Sequence, residues 1–510
     1  MKRGNALFLA NVVWKSSKER YFWMIFACLL SLIPKFVSIY GLKLIVDLIV
    51  DNKSIIEIVG LIVILVSLEI INNIFSGIYS KFIIPKSDIK IKKYLNDKLF
   101  VKLSTVDLQC YDNNEFYENI SLGIKDADKT VIEYFNSLQT LISNILGLIF
   151  IGSMIVSIDA FVVLAPLIAI LFSLFLNLCI GRLTYKYTNE KTKKERYSEY
   201  IKRIFYVPSY AKEIIVFPIK KLILSEYDIA TEKLKDINKK YSKKITVLDI
   251  FASSVFSLFG FGLILTTISW RIIYLQQGFG DFVALANASL SIVSSFMFVA
   301  VIIPELGKFN LFANNILNLL NYENEIKSPD NPIEFGDDYS IEYKNVSFAY
   351  PFNMEKQILN KVNIKIERND KIAIVGFNGS GKTTFIKLLL RLYDVTDGEI
   401  YFGNNNINAY SVAELRSKFN VLFQDFQQFP LTISETVLMR KPQSNEDIEI
   451  VWQSLAKAGL KDKIMNCSKG LNSKVTKEFD EDGVVFSGGG NAKVNACKSV
   501  CRFSKNFNIR

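Results

Sequence analysis

KIAIVGFNGSGKTTFIKLLLRLY, residues 371–393, sets the expected fold, and the rest of the chain is organised around it. The apolar run Ile372–Val375 predicts a buried strand, Gly376–Lys382 a tight loop, and Thr383 onward a helix with Phe385, Leu388, Leu389 and Leu392 on one side. The spacing of Gly376, Gly381, Lys382 and Thr383 fits the phosphate-loop pattern G-x-x-x-x-G-K-[ST]. Glycines let backbone N–H groups converge on phosphate oxygens, and a helix N-terminus adds partial positive charge. Lys382 would meet the β and γ phosphates as a point charge, and the Thr383 hydroxyl would ligate Mg²⁺. A glycine-rich turn with no ligand is the plainer alternative; the strand, loop and helix context is the one the phosphate loop demands.

Composition places a membrane in the picture. The chain has 510 residues, enough for about two to four domains, and it is 50% hydrophobic with a mean hydropathy of +0.23, high for a soluble enzyme. The net charge of +11 fits an anionic membrane leaflet better than nucleic acid, because of how it is distributed. Six apolar stretches are long enough to span: Tyr21–Tyr40, Ile55–Ile78, Phe135–Val156, Phe161–Ile180, Val247–Ile268 and Phe282–Ile303. The links Asp51–Ser54, Ser157–Asp159 and Tyr274–Asp281 are short and nearly free of Lys and Arg. The two others are long and basic, one with Lys81, Lys86, Lys90, Lys92, Lys93 and Lys98, the other with Arg182, Lys186, Lys191, Lys193, Lys194 and Arg196. This asymmetry predicts that both long segments and both termini are cytoplasmic. The polar first residues are not a cleaved signal, and the cysteines, with no paired CxxC spacing, are free thiols with no zinc site.

Within the spans, Lys35, Glu69, Asn72, Asn73 and Glu305 are costly in hydrocarbon and are expected to face the bundle interior or an aqueous cavity. The alternative is that Lys35 and Glu305 snorkel from span ends and the asparagines join helices. The long basic segments are expected to be helical, with Ile89, Leu95, Leu99 and Leu103 at helical spacing. Each ends in a short element, Asp112–Ile120 or Ser209–Phe217, that could touch another domain. A linker follows at 321–340, with a second domain from Ile341, where IEYKNVSFAY (341–350) and ILNKVNIKIE (358–367) predict strands. Tyr350 stands where its ring could stack on an adenine, and Gln424 follows an apolar run in NVLFQDFQQF (420–429).

The order of six spans, two long helical extensions, linker, phosphate loop, Gln424 and finally FSGGG (486–490) resembles an ABC transporter of the exporter type, with membrane and nucleotide-binding halves in one chain. The implied architecture is an all-α six-helix transmembrane domain over 1–320, the linker 321–340, and an incomplete α/β nucleotide-binding domain over 341–510. The resemblance implies ATP and Mg²⁺ as cofactors. It assigns Tyr350 to the adenine, and Gly376, Phe377, Asn378, Gly379, Ser380, Gly381, Lys382, Thr383 and Thr384 to the phosphates. Thr383 and Gln424 go to the metal, and Ser487, Gly488 and Gly489 to the signature loop that caps ATP held by a partner. Asp112–Ile120 and Ser209–Phe217 match coupling helices. A second half-transporter as dimer partner, membrane lipid around the spans, a plasma-membrane location and an exported lipid, peptide or drug-like substrate are implied; nucleic acid is not.

Departures from the family pattern carry their own expectations. Gly490 stands where the signature usually has Gln, and no Walker B aspartate, neighbouring glutamate or D-loop appears in the twenty residues after it. The count of His is 0, so no switch histidine is present. The resemblance implies an ATPase, yet these residues supply no group to polarise the attacking water, and no catalytic residue is assigned. A truncated domain is expected, with the alternatives of a non-hydrolysing subunit in a heterodimer or a non-functional product of a frameshifted gene. Removing one base from the G-rich glycine codons permits E-M-Q-K-L-M-L-A-R-A, similar to the family's helix after the signature. Residues after Gly489 are therefore expected to be out-of-frame translation, with Cys497 and Cys501 without a role.

Overall fold

A computed structural model describes residues 3–113, 127–158, 164–258, 262, 265–266, 269–270, 278–424, 426–478, 480–486 and 488–506. They form two compact units, one of Met1–Val106 with Cys110–Glu323, the other of Asp107–Gln109 with Asn324–Arg510.

The first unit is helical. After α1 (Arg3–Ser16), the helices α2 (Lys18–Leu30), α3 (Ile33–Phe36) and α4 (Leu42–Val50) make one run, Lys18–Val50, with Pro34 opening α3 and a π-helical turn at Val37–Gly41. Proline at a helix start removes no bond the helix needs, so the run continues past it. Helix α5 (Ile55–Ile78) is capped by Ser54, whose hydroxyl accepts from Glu57 N. It passes through a π-helical turn (Tyr79–Ile83) into α6 (Ile84–Leu103). That gives 49 continuous residues, or about 73 Å at 1.5 Å each, more than twice a bilayer's ~30 Å core. Then come α7 (Leu108–Asp112), α8 (Ala127–Ile158), α9 (Leu164–Tyr206), α10 (Pro208–Val216), α11 (Lys220–Ser257) and α12 (Phe279–Leu320).

Four of the expected spans lie on helices long and apolar enough to cross a membrane, namely Lys18–Val50, Ile55–Leu103, Ala127–Ile158 and Phe279–Val299. Phe161–Ile180 begins, and Val247–Ile268 ends, on residues outside those described. Helices α9 and α11 pair antiparallel: Leu176 packs with Ala252, Glu190 accepts from Tyr241 at 2.6 Å, and Glu226 from Tyr197 at 2.8 Å. One core joins α1, α2, α6, α8 and α12 through Leu9, Met24, Leu95, Phe135 and Ile316. A second joins the first run to α8 and α12 through Ile39, Ile151, Leu285 and Phe296, and beyond it Lys43 pairs with Asp281. Of the two short elements, Asp112–Ile120 falls mostly outside the described residues, while Ser209–Phe217 coincides with α10 and leaves Ile215, Val216 and Phe217 exposed.

In the second unit, β1 (Ile341–Ala349), β2 (Gln357–Ile366), β3 (Asp397–Phe402) and β4 (Asn405–Asn406) form an antiparallel sheet in the order β2-β1-β3-β4. Helix α13 (Lys382–Leu389) packs on it, with Tyr343 of β1 stacked on Phe385 at 4.1 Å and donating its hydroxyl to the Phe385 carbonyl at 2.9 Å. Burial pushes that hydroxyl far above its ordinary pKa, so it stays a donor. Beyond α14 (Val412–Ser417) lie α15 (Ile433–Leu438), α16 (Asn445–Lys457), α17 (Lys461–Met465) and α18 (Gly488–Asn506). Their shared core holds Ile433, Val451, Leu455, Ile464, Phe486, Val494 and Cys497. Cys497, expected to have no role, is fully buried there, its thiol donating to the Ser454 carbonyl at 3.5 Å. Asp107, carried by the chain between α6 and α7, accepts from the backbone N–H of Glu325 at 2.7 Å and of Ile326 at 3.2 Å.

The expected buried strand at Ile372–Val375 is not formed. The segment is unpaired and exposed, Val375 to 87%. A strand requires a neighbour to exchange hydrogen bonds with. Among the described residues the four paired strands lie elsewhere, and the other apolar run that could flank it, Val421–Phe423, is also exposed and unpaired.

Candidate functional site

The loop between Val375 and α13 owes its shape to glycine. Gly379 has φ +82° and Gly381 φ +89°, left-handed values that other residues adopt with strain. At Gly381 a Cβ would also stand 2.9 Å from Leu359 Cδ2 and 3.2 Å from the Ile358 carbonyl oxygen, so only glycine lets α13 start this close to β2. Phe377, Asn378, Gly379 and Ser380 are exposed, Phe377 to 92%. Their backbone is thus open to solvent along one stretch.

Lys382, the first residue of α13, turns back over this loop and donates from Nζ to the carbonyl oxygens of Gly376 at 2.8 Å and Phe377 at 2.7 Å. Ser380 Oγ is at 3.5 Å. Thr383 is exposed and makes no hydrogen bond among the described residues, leaving its hydroxyl available to a ligand. Thr384 points the other way, buried, its hydroxyl 3.0 Å from that of Tyr350.

That hydroxyl pair ties Tyr350 to the helix that carries the loop. Phe348 and Tyr393 meet the Tyr350 ring edge-on at 5.0 and 5.2 Å, and Lys387 lies 5.7 Å from its centroid. Phe352, 5.4 Å away and stacked, is exposed and extends the aromatic surface. Sequence reasoning passed over Phe352; its signal is an aromatic two residues after Tyr350. An anionic, aromatic-bearing molecule fits this combination of exposed N–H groups, one ammonium and two stacked rings.

The other expected residues are less gathered. Gln424 is exposed in a turn, and no hydrogen bond among the described residues links it to the loop. Ser487 lies outside the described residues, while Gly488 and Gly489 open α18, where Asn491 Nδ2 donates to the Phe486 carbonyl at 3.2 Å.

The sequence profile of the ABC transporter family matches residues 359–505. The subtilin transport ATP-binding protein SpaT of Bacillus subtilis is 26% identical over 419 residues, covering 81% of this chain and 67% of its own. The nisin transport ATP-binding protein NisT of Lactococcus lactis subsp. lactis is 24% identical over 485 residues, covering 92% and 78%. The structure of a bacterial Atm1-family ABC exporter with ATP bound superposes with a TM-score of 0.72 at 17% identity, covering 96% of this chain and 84% of that one. Residues 359–505 belong to the ABC transporter family, and the chain has the fold of an ABC exporter half-transporter.

The polar residues expected inside the membrane half of this half-transporter have different surroundings. Glu305 lines a cleft of roughly 460 Å³ between α8 and α12, with Lys129, Glu133, Asn136, Ser137 and Phe309. On α5, which buries only Leu65, Glu69 and Asn72 are half-buried and Asn73 exposed. Lys35 lies within the run Lys18–Val50, and its ammonium donates to Ser295 Oγ of α12 at 3.0 Å.

Proposed function

We propose that the half-transporter pairs with a second half-transporter, identical or different, and uses ATP to move its cargo out of the cytoplasm by alternating access. ATP would lie with its adenine on Tyr350 and Phe352, its β and γ phosphates on the N–H groups of residues 376–384 and on Lys382. Thr383 and Gln424 would hold Mg²⁺, and Ser487, Gly488 and Gly489 would cap ATP bound to the partner. The plasma membrane is the location, with both termini cytoplasmic. Helix α10 would serve as a coupling element, its exposed Ile215, Val216 and Phe217 available to a nucleotide-binding surface. Two of the relatives with broad coverage are named for subtilin and nisin transport, which supports a cargo of that kind.

The observation that carries this reading is the junction at α13, where Lys382 faces the exposed loop and Thr384 holds Tyr350 beside it. In the full chain, Lys382→Ala is expected to weaken ATP binding by tenfold or more, since a charge-assisted bond to phosphate contributes about 1.5–3 kcal/mol. Filter retention of labelled ATP measures it; equal retention by both proteins would sink the assignment.

A further inference from the structure

Along one face of α8, Asn136, Gln139, Ser143 and Gly147 recur at three- and four-residue steps. Each meets a polar group of another helix. Arg20 Nη2 donates to Asn136 Oδ1 at 2.8 Å, Tyr79 donates to Gln139 Oε1 at 2.7 Å, and the hydroxyls of Ser31 and Ser143 are 2.6 Å apart. At Gly147 the neighbour is Lys35, so close that a Cβ on residue 147 would overlap its ammonium. Glycine is what admits the charge.

The stripe therefore holds two cations, and they are treated differently. Arg20 is buried and carries its own counter-charge, Asp88 at 3.2 Å, with the Ile84 carbonyl at 3.0 Å. Lys35 has only the hydroxyl of buried Ser295; among the described residues no carboxylate pairs with it. It lies within the apolar run Lys18–Val50, its ammonium turned toward α12. An ammonium inside a membrane span is expensive without a partner. It is half-buried, so part of the side chain stays reachable, and one turn on begins an apolar cluster with Ile39, Ile292 and Phe296.

We propose that Lys35 is an anion-binding point inside the membrane half, receiving the carboxylate or phosphate of an amphipathic molecule whose apolar part lies along the neighbouring helices. The inference rests on the export reading above for the route by which a cargo arrives; a membrane lipid offers the same chemistry.

The test uses the full chain in phosphatidylcholine nanodiscs, titrated with a dansyl-labelled undecanoic acid and with its methyl ester, each corrected against empty discs. The unsubstituted protein is expected to bind the acid about tenfold more tightly than the ester, the value of one charge-assisted bond. Lys35→Met should bind both alike, Lys35→Arg should keep the preference, and Gly147→Ala, which retains the charge but fills its place, should reduce it. The same preference in Lys35→Met as in the unsubstituted protein, or no preference in either, overturns the proposal. Discs containing phosphatidylglycerol separate the sources. If the acid's advantage disappears there, a lipid headgroup supplies the anion; if it survives, the dissolved amphiphile does. ATP binding on the same discs is read separately, so its failure would count against the export reading and leave the Lys35 result standing.

Discussion

Lys382 donates to two neutral carbonyl oxygens of its own loop, and a phosphate would take over these bonds as stronger, charge-assisted ones. How well the loop presents itself depends on Gly381, at φ +89° with the Leu359 side chain and Ile358 backbone beside it. Gly381→Ala would carry left-handed strain of about 1–2 kcal/mol and would push α13 off β2. Its ATP affinity is expected to fall about tenfold or more, whereas Gly336→Ala, with nothing within 4 Å of its new methyl, should titrate like the unsubstituted chain; matching curves for the two variants would refute the account. The loop residues were legible in the sequence because phosphate chemistry fixes their types and spacing. Lys35 was legible only as a cost. Which side of a membrane helix turns inward depends on what its partners offer, here Gly147 and Ser295, and no local pattern around residue 35 carries that information.

At the scale of elements, the strands at 341–350 and 358–367 could be read because each finds its partner nearby in the chain, β1 with β2 as an antiparallel pair. Ile372–Val375 has the same strand-like composition, but a strand's identity belongs to the pair, and its own residues cannot supply the second member. Four of the spans could be read from length alone, since a helix needs no neighbour for its backbone hydrogen bonds. Helix α15 shows local specification at its clearest. Thr432 Oγ1 accepts from Glu435 N at 3.2 Å while the Glu435 carboxylate accepts from Thr432 N at 3.0 Å, a reciprocal cap. Those bonds, the backbone one first, hold the Glu435 carboxyl below the usual carboxylate range. A pKa lowered on folding contributes stability that is complete above the unfolded value and is lost as pH falls through the folded one. The protection of the amides of residues 433–438, taken against the intrinsic exchange rate at each pH, should therefore fall below about pH 4.5. At neutral pH, Thr432→Ala should lower it by about fivefold, for a cap worth ~1 kcal/mol. Unchanged protection of these amides in the variant would remove the cap from the account of this helix.

For the whole molecule, the first test is which side of the membrane the two basic segments face. Lys93 on α6 and Lys194 on α9 are exposed and sit in the two basic segments, which the Lys and Arg asymmetry assigns to the cytoplasm. With the 6 native cysteines replaced, cysteines at these two positions should resist a membrane-impermeant thiol reagent in intact cells and react after lysis. Labelling of either from outside would overturn the six-span arrangement. The second unit also has a timetable. Its Asp107 and the Glu325 amide it binds are 218 residues apart in the chain. At roughly 5–20 residues per second of synthesis, the carboxylate leaves the ribosome about ten to forty seconds before that amide exists. During that interval the helices α8 to α12 are made, so the nucleotide-binding unit closes around a side chain that has waited through the production of the larger part of the membrane half.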